Sequence, residues 1–342
     1  MSPLVTVVVV TWNGLPLLRR CLPAVLAQRG VPFEVVVVDN GSRDGSVAWL
    51  RRLAATLANA PAAPALRVLS SNRNLGFAAA NNWAIGESTA PFVATLNNDA
   101  SPEPGWLAAL VAAVQADHTV GSCASQIVFA TRPQVVNSAG VAADRAGIAW
   151  DRDVGTPRQA EGPPVEVFGA SAGAALYRRE MLDDVGVFAN AFFMYLEDVD
   201  LAWRARLRRW RCTYVPAAVV RHVHSASAGD GSPFKLWHLG RNKVALLVRC
   251  CPAPMLWSYA PVIIGYDLAA VLWAWLRRGE TSGLRGRLAG LARWRDLLTE
   301  RRDIQARRSA TWDDLRRWLA PAPGPPSVWK RFRHLRRTLA SV

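Results

Sequence analysis

The chain contains little cysteine, which argues against zinc-binding, redox-active and disulfide-stabilised classes of protein. Only five of the 342 residues are cysteine, and no two of them form a CxxC pair. Pairs with that spacing are typical of structural zinc sites and redox motifs, and an odd, scattered set does not indicate a disulfide framework. We therefore expect reduced thiols and a cytosolic compartment.

Acidic side chains are scarce in the last third of the chain. Residues 1–230 contain 20 basic and 19 acidic side chains, whereas residues 231–342 contain 21 basic and 7 acidic ones. Charged residues make up 20% of the whole and apolar residues 51%, which excludes a wholly disordered chain and favours a large core. The basic third indicates an anionic partner, either a membrane surface or a nucleic acid.

The N-terminus lacks a basic segment followed by a long apolar one. Met1–Pro3 leads directly into the apolar run Leu4–Val10, which is too short to span a bilayer. We therefore expect no secretory signal peptide. The chain also lacks helix-turn-helix, zinc-finger and RNP-type motifs, so a nucleic acid is the less favoured anionic partner and we expect none.

Strand-like and helix-like segments alternate through the first hundred residues, which predicts an α/β fold with a mostly parallel sheet and right-handed crossovers. The predicted strands are Val5–Val10, Phe33–Val38, Leu66–Leu69 and Phe92–Leu96, and the predicted helices are Leu15–Gln28, Val47–Leu57 and Phe77–Glu87. The pattern weakens further along. There we expect short strands at Ser125–Ala130, Val165–Phe168, Cys212–Val215 and Ala218–Val220, and a helix at Ala202–Trp210.

Four polar segments follow the four predicted strands of the first hundred residues. They are Thr11–Gly14, Asp39–Ser42, Asn72–Phe77 and Asn97–Asp99. Asn, Asp, Gly and Ser also favour ordinary turns, so one such segment by itself has little meaning. Four in succession lie at one edge of a parallel sheet, where ligands bind, and therefore favour a polar ligand site.

Three later segments are further candidates. Gly169–Ala175 contains only small residues, which suit either a close approach of another group or a tightly packed turn. Glu197–Asp200 contains three acids, which the dipole of a following helix would also favour. His222 and His224 share one face of a strand, so either of them could be a ligand.

In this order and at these separations, the motifs resemble the family 2 glycosyltransferases with a GT-A (Rossmann-like) fold. The resemblance covers about residues 4–245 and is strongest to the rhamnosyltransferase-like branch that builds bacterial cell-surface polysaccharides. It implies inverting transfer of a sugar from a nucleotide-diphosphate donor, with Mg²⁺ or Mn²⁺ as cofactor. The donor it implies is dTDP-rhamnose, and the acceptor is a lipid-linked (polyprenyl-diphosphate) glycan or a polysaccharide.

The resemblance also implies a role for particular residues. Asp198 would be the catalytic base, Asp99 and His222 would bind the metal ion, and Asp39 would accept a hydrogen bond from the N3–H group of the nucleotide base. The residues expected around the nucleotide and donor sugar are Thr11, Asn13, Asp39, Ser42, Asn74, Gly76, Phe77, Asn81 and Asn97.

One position departs from the family pattern. The family motif is often Asp-x-Asp, but its first position here is Asn97, and a neutral amide is a weaker metal ligand than a carboxylate. Asp99 would then act nearly alone with His222, which the spacing to Ser227 favours over His224. A catalytically inactive module that binds nucleotide sugars therefore stays open as an alternative.

The basic third, residues 231–342, is expected to form a helical, membrane-associating extension of a catalytic domain at 1–230. Pro252–Leu276 is nearly all apolar, but Asp267 and the prolines in its first turns argue against a simple span, since a carboxylate at a helix centre costs about 2.5–3.5 kcal/mol on insertion scales. We expect a helix at the cytoplasmic face of the membrane, with packing on the protein's own core as the alternative. The Arg-rich amphipathic stretches Arg285–Arg308 and Trp329–Arg337 suit an anionic lipid surface.

Overall fold

The protein alternates strands and helices in its first half and is helical in its last third. The computed structural model describes residues 2–60, 63–159, 162–223 and 231–322. The strands are β1 Val5–Thr11, β2 Phe33–Asp39, β3 Leu66–Ser70, β4 Phe92–Asn97, β5 Ala100–Pro102, β6 Val120–Phe129, β7 Val136–Ser138, β8 Val141–Asp144, β9 Ala149–Asp151, β10 Val165–Val167, β11 Ala174–Arg178, β12 Arg211–His222 and β13 Leu319–Ala320. The helices are α1 Leu15–Leu26, α2 Ser46–Ala58, α3 Gly76–Gly86, α4 Trp106–Ala116, α5 Arg179–Val185, α6 Glu197–Leu207, α7 Pro233–Cys250, α8 Ala253–Arg278, α9 Ser282–Ala292, α10 Trp294–Ala306 and α11 Trp312–Arg316, with a 3-10 turn at Asn190–Phe192.

One large sheet organises the first two-thirds of the chain. Its main path runs in the order β10-β12-β6-β11-β4-β1-β2-β3, and β5 and β7 pair beside this path. Strands β1 to β4 are mutually parallel, which confirms the predicted βα layer. Strand β11 is antiparallel to both of its neighbours, β4 and β6, and the small-residue run 169–175 leads into it.

The central strands are valine runs because helices cover both faces of the sheet. Val7 and Val9 of β1 belong to a core cluster with Leu18 and Leu22 of α1, whereas Val8 belongs to a second cluster on the opposite side that includes the start of α3. Side chains alternate between the two faces of a strand, and apolar residues at both parities are expected where both faces are buried.

Several predicted boundaries were wrong. The predicted helix Ala202–Trp210 is α6, Glu197–Leu207, and the predicted strand Ser125–Ala130 is the longer β6, Val120–Phe129. Cys212–Val215 and Ala218–Val220 are parts of the single strand β12, whose register shifts between Val215 and Val219, so the intervening Pro216 does not interrupt the strand. A bulge of this kind accommodates the missing N–H group of proline. The acidic cluster lies inside the first turn of α6 rather than before the helix.

The prolines at the beginning of the long apolar segment do not break its helix. Helix α8 begins at Ala253, so Pro254 occupies the first turn, where its missing N–H group has no intrahelical partner to lose. The helix then continues through Pro261 to Arg278. Strand β11 and helix α4 were not predicted at all.

The C-terminal helices share a hydrophobic core with the sheet domain. Trp203 of α6 belongs to the same buried cluster as Leu246 and Leu247 of α7. Helix α9 packs closely on α7 because glycines line the contact: a Cβ atom at Gly286 would lie 2.1 Å from the carbonyl oxygen of Trp237. The helical extension therefore packs directly against the sheet domain, and the division at residue 230 remains a prediction.

Helix α8 exposes apolar residues along most of its length. It has 26 residues, and only Met255 and Ile263 of them are buried. In the described part of the chain it is the one helix long and apolar enough to cross a bilayer. Most of the surface of α8 is therefore not packed against the protein's own core, which was the alternative expected from the sequence.

Candidate functional site

The loops that follow β1 and β2 are bonded to each other at the carboxyl edge of the sheet. The backbone N–H of Asn13 donates to Ser42 Oγ (2.8 Å), and Asn13 Oδ1 accepts from the backbone N–H of Arg43 (2.8 Å). Asp39, which is 1% exposed, accepts from the Ser42 N–H through Oδ1, while its buried Oδ2 has no hydrogen-bond partner. An unpaired buried carboxylate oxygen is unfavourable unless a ligand supplies a donor.

A pair of asparagines joins the second loop to the third. Asn40 Nδ2 donates to Asn74 Oδ1 (2.9 Å), and Asn40 Oδ1 accepts from the Leu75 N–H (2.8 Å). Asn74 Oδ1 also accepts from the Gly76 N–H (2.9 Å), so the Asn74 amide shapes its own loop. Sequence reasoning did not single out Asn40, although it lies inside the polar segment after β2.

Thr11 and the fourth loop meet beside the first one. Thr11 Oγ1 accepts from Asn98 Nδ2 (2.9 Å), and Thr11 is 1% exposed. A Cβ atom at Gly14 would collide with Asn98 Nδ2, so a larger residue there would displace the Asn98 amide from Thr11. Asn98 was also not predicted as a functional residue, because its partner is 87 residues away in the chain.

The start of α3 lies against the segment that precedes α6. The N–H groups of Phe77 and Ala78 both donate to the carbonyl oxygen of Phe193 (2.7 and 3.2 Å). Gly76 has φ +83°, and a Cβ atom there would lie 2.5 Å from the Phe193 ring. Asn81 is buried, and its Nδ2 donates to the Phe77 carbonyl one turn earlier, so it stabilises this helix start.

Asp99 and His222 are brought together by the pairing of β5 with β12. His222 lies opposite Ala100, the residue after Asp99, and the Val223 N–H donates to the Asp99 carbonyl (3.0 Å). As a result, His222 Nε2 lies 3.1 Å from Asp99 Oδ1. His224 and Ser227 lie outside the described residues.

The pair formed by Asp99 and His222 has the chemistry of a divalent cation site. His222 Nδ1 lies 2.9 Å from Asn137 Oδ1, so a proton on Nδ1 would leave the lone pair of Nε2 facing Asp99. In metal-bound histidines, the ring nitrogen that does not bind the metal commonly donates to such a partner, which fixes the orientation of the ring. Within the described ranges no three potential His, Cys, Asp or Glu ligands converge. The two side chains fit Mg²⁺ or Mn²⁺, whose remaining positions are usually filled by water and phosphate oxygens.

Asp198 lies at the same edge of the sheet as Asp99. Its Oδ2 accepts from the Ala172 N–H (3.2 Å) and its Oδ1 from the Val199 N–H (2.8 Å). The Ala172 carbonyl in turn accepts from Thr95 Oγ1 (2.7 Å) of β4. The Asp198 carboxyl therefore lies beside the end of β4, which leads directly into Asn97 and Asp99.

Asn97 is the last residue of β4, two residues before Asp99. Its N–H donates to the Gly173 carbonyl (2.9 Å), and a Cβ atom on Gly173 would lie 3.3 Å from Asn97 Nδ2. The small residues that precede β11 therefore allow the Asn97 amide to pack against the backbone of that segment. At the other end of this run, a Cβ atom on Gly169 would collide with Ala202 of α6, so the small residues there allow close packing on that helix.

Burial gives Asp198 an unusual acidity. It raises the pKa of this carboxyl to about 6, against the lowering effect of the Ala172 N–H, and the charge of Asp151 raises the pKa further. Burial and the neighbouring Asp198 charge raise the pKa of the Glu197 carboxyl well above its usual range. A carboxylate with a pKa near 6 suits a general base that acts at neutral pH.

The rate of the reaction should therefore depend on pH through Asp198. Below pH 6 the carboxyl is protonated and accepts no proton, so we expect kcat/KM to fall about tenfold per pH unit. A pH–rate profile measures this acid limb. Asp151→Asn removes a charge that raises the pKa and should move the limb to lower pH, whereas a limb that stays in place would contradict the assignment.

Asp200, the third acid of the cluster, has a structural role. It is fully buried and binds Arg204 Nε and Arg249 Nη1, each at 2.8 Å. Burial raises the pKa of its carboxyl, but the two arginines outweigh this effect and hold the pKa below its usual range. This ion pair fixes α6 against α7.

The backbone before Asp198 is strained and is held by a residue of the C-terminal region. Phe193, Tyr195 and Leu196 have φ values of 63°, 71° and 66°, and residues other than glycine rarely adopt positive φ. Asn242 of α7, which is 1% exposed, donates through Nδ2 to the carbonyls of Phe192, Met194 and Tyr195 (3.0, 2.9 and 2.7 Å). Nothing in the local sequence indicates this contact.

Replacing Asn242 should therefore impair catalysis. Asn242→Asp puts an acceptor where a donor faces three carbonyl oxygens, and the displaced segment would misplace Asp198. We expect kcat to fall roughly 10²-fold, with KM for the donor changing much less. Steady-state kinetics and thermal melting measure the two effects separately.

The matched control is Gln28→Glu, which changes a buried amide at the far end of α1. Gln28 Nε2 also donates to two carbonyls, those of Ala24 and Glu103 (3.2 and 3.1 Å). This variant should lower the melting temperature and leave kcat unchanged. Equal losses of kcat in both variants would mean that Asn242 acts only through stability.

Comparison with solved structures defines the class of fold. The chain is similar to the mannosyltransferase PcManGT from Pyrobaculum calidifontis in complex with GDP-Man and Mn²⁺, with 23% identity, a TM-score of 0.54, and coverage of 90% of this chain and 86% of that one. It is also similar to GalNAc-T7 with UDP, GalNAc and Mn²⁺, with 17% identity and a TM-score of 0.58 over 72% of this chain and 48% of that one. The fold is GT-A.

Sequence comparison identifies the family. The profile of Glycosyl transferase family 2 matches residues 6–186, more than half of the chain. The protein therefore belongs to glycosyl transferase family 2, and it transfers a sugar from a nucleotide-sugar donor. The resemblance of the sequence motifs to this family is confirmed.

Two relatives from Mycobacterium tuberculosis illustrate the range of the family. The chain is 31% identical over 253 residues to N-acetylglucosaminyl-diphospho-decaprenol L-rhamnosyltransferase, covering 67% of this chain and 79% of that protein. It is 31% identical over 306 residues to pre-mycofactocin glycosyltransferase, covering 90% of this chain and 58% of that protein.

Proposed function

We propose that this protein is an inverting, metal-dependent rhamnosyltransferase. It would transfer rhamnose from dTDP-rhamnose to a glycan linked to a polyprenyl diphosphate, at the cytoplasmic face of the membrane, in cell-surface polysaccharide synthesis. The observation that carries this proposal is the convergence of Asp39, the Asp99–His222 pair and Asp198 at one edge of the sheet. Similarity to a decaprenol-linked L-rhamnosyltransferase supports the sugar and the acceptor class.

Asp39 supplies the nucleotide side of the pocket. Its unpaired Oδ2 accepts from the N3–H of the thymine base, which removes the unfavourable burial of a lone carboxylate oxygen. The loops that contain Thr11, Asn13 and Ser42 are fixed to one another by the bonds described above. Asn74, Gly76, Phe77, Asn81 and Asn97 complete the expected surroundings of the nucleotide and sugar.

Asp99 and His222 would hold the divalent cation beside the donor diphosphate. When bound, Mg²⁺ or Mn²⁺ neutralises charge that develops on the leaving diphosphate. The Asn137 amide keeps the His222 ring oriented for this task. Asn97 adds a neutral amide near the same position, so it contributes no further charge to the site.

Asp198 activates the acceptor. Its carboxylate takes the proton of the acceptor hydroxyl while that oxygen bonds to the anomeric carbon from the face opposite the diphosphate. The bond from the anomeric carbon to the phosphate oxygen breaks, and dTDP leaves with the bonding electrons. Direct displacement inverts the anomeric configuration, and a positioned base of this kind contributes roughly 10²–10⁴-fold.

A donor screen tests the proposed function. Purified protein is mixed with dTDP-rhamnose, UDP-sugars and GDP-sugars, each with Mn²⁺ or EDTA, and binding is measured by calorimetry and by protection against melting. We expect dTDP-rhamnose to bind only with the cation and to be transferred to a short-chain polyprenyl-diphosphate acceptor. Selective binding of a UDP- or GDP-sugar would overturn the donor assignment, and binding of none would overturn the enzyme assignment.

A further inference from the structure

A second candidate site lies at the beginning of the apolar helix α8. An open cleft of about 310 Å³ is formed there by Ala253 and Pro254 of α8 and by four polar residues of α10 and the turn after it. Those four residues are Arg301, Arg302, Gln305 and Arg308. Their order in the chain places them near the C-terminal end of α10, whereas the donor site is built from the carboxyl edge of the sheet.

Three arginines line the cleft. Among the residues that the structure describes, no carboxylate lies within 4 Å of a side-chain nitrogen of Arg301, Arg302 or Arg308. Burial lowers the pKa of Arg301, and the nearby charge of Arg308 adds to this lowering. An anion in the cleft would relieve this repulsion between like charges.

The framework of the cleft is rigid. Arg301 Nη1 donates to the carbonyls of Val248 and Cys251 (2.7 and 2.6 Å), which anchor its guanidinium at the end of α7. Gln305 Nε2 donates to the Cys250 carbonyl (2.9 Å). The first turn of α8 has no side-chain cap, so the positive end of its dipole adds to the field at the cleft.

Exposed apolar side chains flank the cleft on two elements. Trp257, which is 80% exposed, lies one turn after Ala253 and Pro254 on α8. Leu298, which is 38% exposed, lies one turn before Arg301 and Arg302 on α10. Residues three or four apart share one face of a helix. Further exposed apolar residues continue along two helices: Leu268, Leu272 and Leu276 on α8, and Leu288 on α9.

We propose that this cleft binds the phosphate group of an anionic phospholipid whose acyl chains lie along the exposed apolar surface of α8. Arginine forks bind phosphate oxygens in a bidentate manner, and apolar neighbours suit the lipid chains rather than a free phosphate ion. The inference rests on the membrane association in the proposed function, but not on the transferred sugar or on the acceptor.

Vesicle binding of the full chain tests the lipid site. Phosphatidylcholine vesicles with and without 20 mol% phosphatidic acid are the probes, and co-sedimentation gives the affinity. The wild type should prefer the anionic vesicles. Each basic residue near such a surface is worth about fivefold by charge alone, so two are worth about 25-fold. Arg302→Ala with Arg308→Ala also removes the direct contacts with the phosphate and should therefore lose more than about 25-fold.

The matched control removes the same charge outside the cleft. Arg285 and Arg295 are exposed residues of α9 and α10, and replacing both with alanine removes only the charge attraction, so binding should fall by about 25-fold or less and by less than with the cleft pair. Equal losses from both pairs would overturn the cleft in favour of a diffuse basic surface. Calorimetric binding of inorganic phosphate at the cleft, with no preference for anionic vesicles, would overturn the lipid assignment.

The vesicle experiment can fail or succeed independently of the proposed sugar transfer. Transfer to a short-chain soluble acceptor should be unchanged when Arg302 and Arg308 are replaced, because neither lies in the donor site. Cleft-dependent vesicle binding without any sugar transfer would leave the lipid site standing and remove only the proposed function. Sugar transfer together with vesicle binding that is unchanged in the Arg302 and Arg308 variant would remove the lipid site and leave the proposed function standing.

Discussion

Asp198→Asn should abolish sugar transfer while donor binding remains. The amide has the same shape as the carboxyl but accepts no proton at neutral pH, and the loss of a positioned general base reduces kcat by roughly 10²–10⁴-fold. Calorimetry with dTDP-rhamnose and Mn²⁺ should give a Kd close to that of the wild type, since Asp198 is bonded to the Ala172 and Val199 N–H groups rather than to the nucleotide loops.

Glu197→Gln is the matched control for this variant. Burial and the Asp198 charge raise the pKa of the Glu197 carboxyl well above its usual range, and an amide of the same shape at this position leaves the proposed base itself in place. We expect kcat to stay near the wild-type value. If Asp198→Asn kept more than about a tenth of the wild-type rate, Asp198 would not be the base. Donor binding without transfer in the wild type would favour the inactive-module alternative.

Asp99→Asn should remove the dependence of donor binding on Mn²⁺. The substitution replaces the one carboxylate of the cation site by a neutral amide and leaves His222 as the remaining expected ligand. Charge stabilisation by a bound cation amounts to several kcal/mol in the transition state, so we expect kcat/KM to fall by roughly 10²-fold or more. Titration of Mn²⁺ in the presence of dTDP measures the loss directly.

Asp117→Asn provides a control at the opposite edge of the sheet. Asp117 precedes β6 and pairs with Arg211 (2.7 Å) at the beginning of β12, far along that strand from His222. The Asp117→Asn variant should therefore keep the Mn²⁺ affinity and the sugar-transfer rate of the wild type. Retention of wild-type Mn²⁺ affinity by Asp99→Asn would show that the cation is held elsewhere.

The first four strands and their polar loops could be predicted from the sequence because their signals are local. A valine run between helical patterns indicates a strand buried on both faces, and the residues that follow it must lie at the carboxyl edge of a parallel sheet. The same logic located Asp39 and Asp99. No tertiary information is needed for these assignments, since every crossover in such a layer has one hand.

The rest of the site depends on contacts between distant parts of the chain. Asn98 bonds to Thr11 across 87 residues, and Asn242 reaches the segment before Asp198 from a helix about 50 residues later. The strained φ values at Phe193 and Tyr195 leave no glycine signature in the sequence. The two short strands predicted at Cys212–Val215 and Ala218–Val220 are joined in β12 through a bulge that includes Pro216, and this bulge depends on pairing with β6.

The central claim is most directly tested by a crystal structure of the Asp198→Asn variant with Mn²⁺ and intact dTDP-rhamnose. The account predicts Mn²⁺ bound to Asp99 and His222, the thymine N3–H bonded to Asp39 Oδ2, and the anomeric carbon exposed toward residue 198 on the face opposite the diphosphate. A cation that avoids Asp99, or a donor whose anomeric carbon faces away from residue 198, would contradict it.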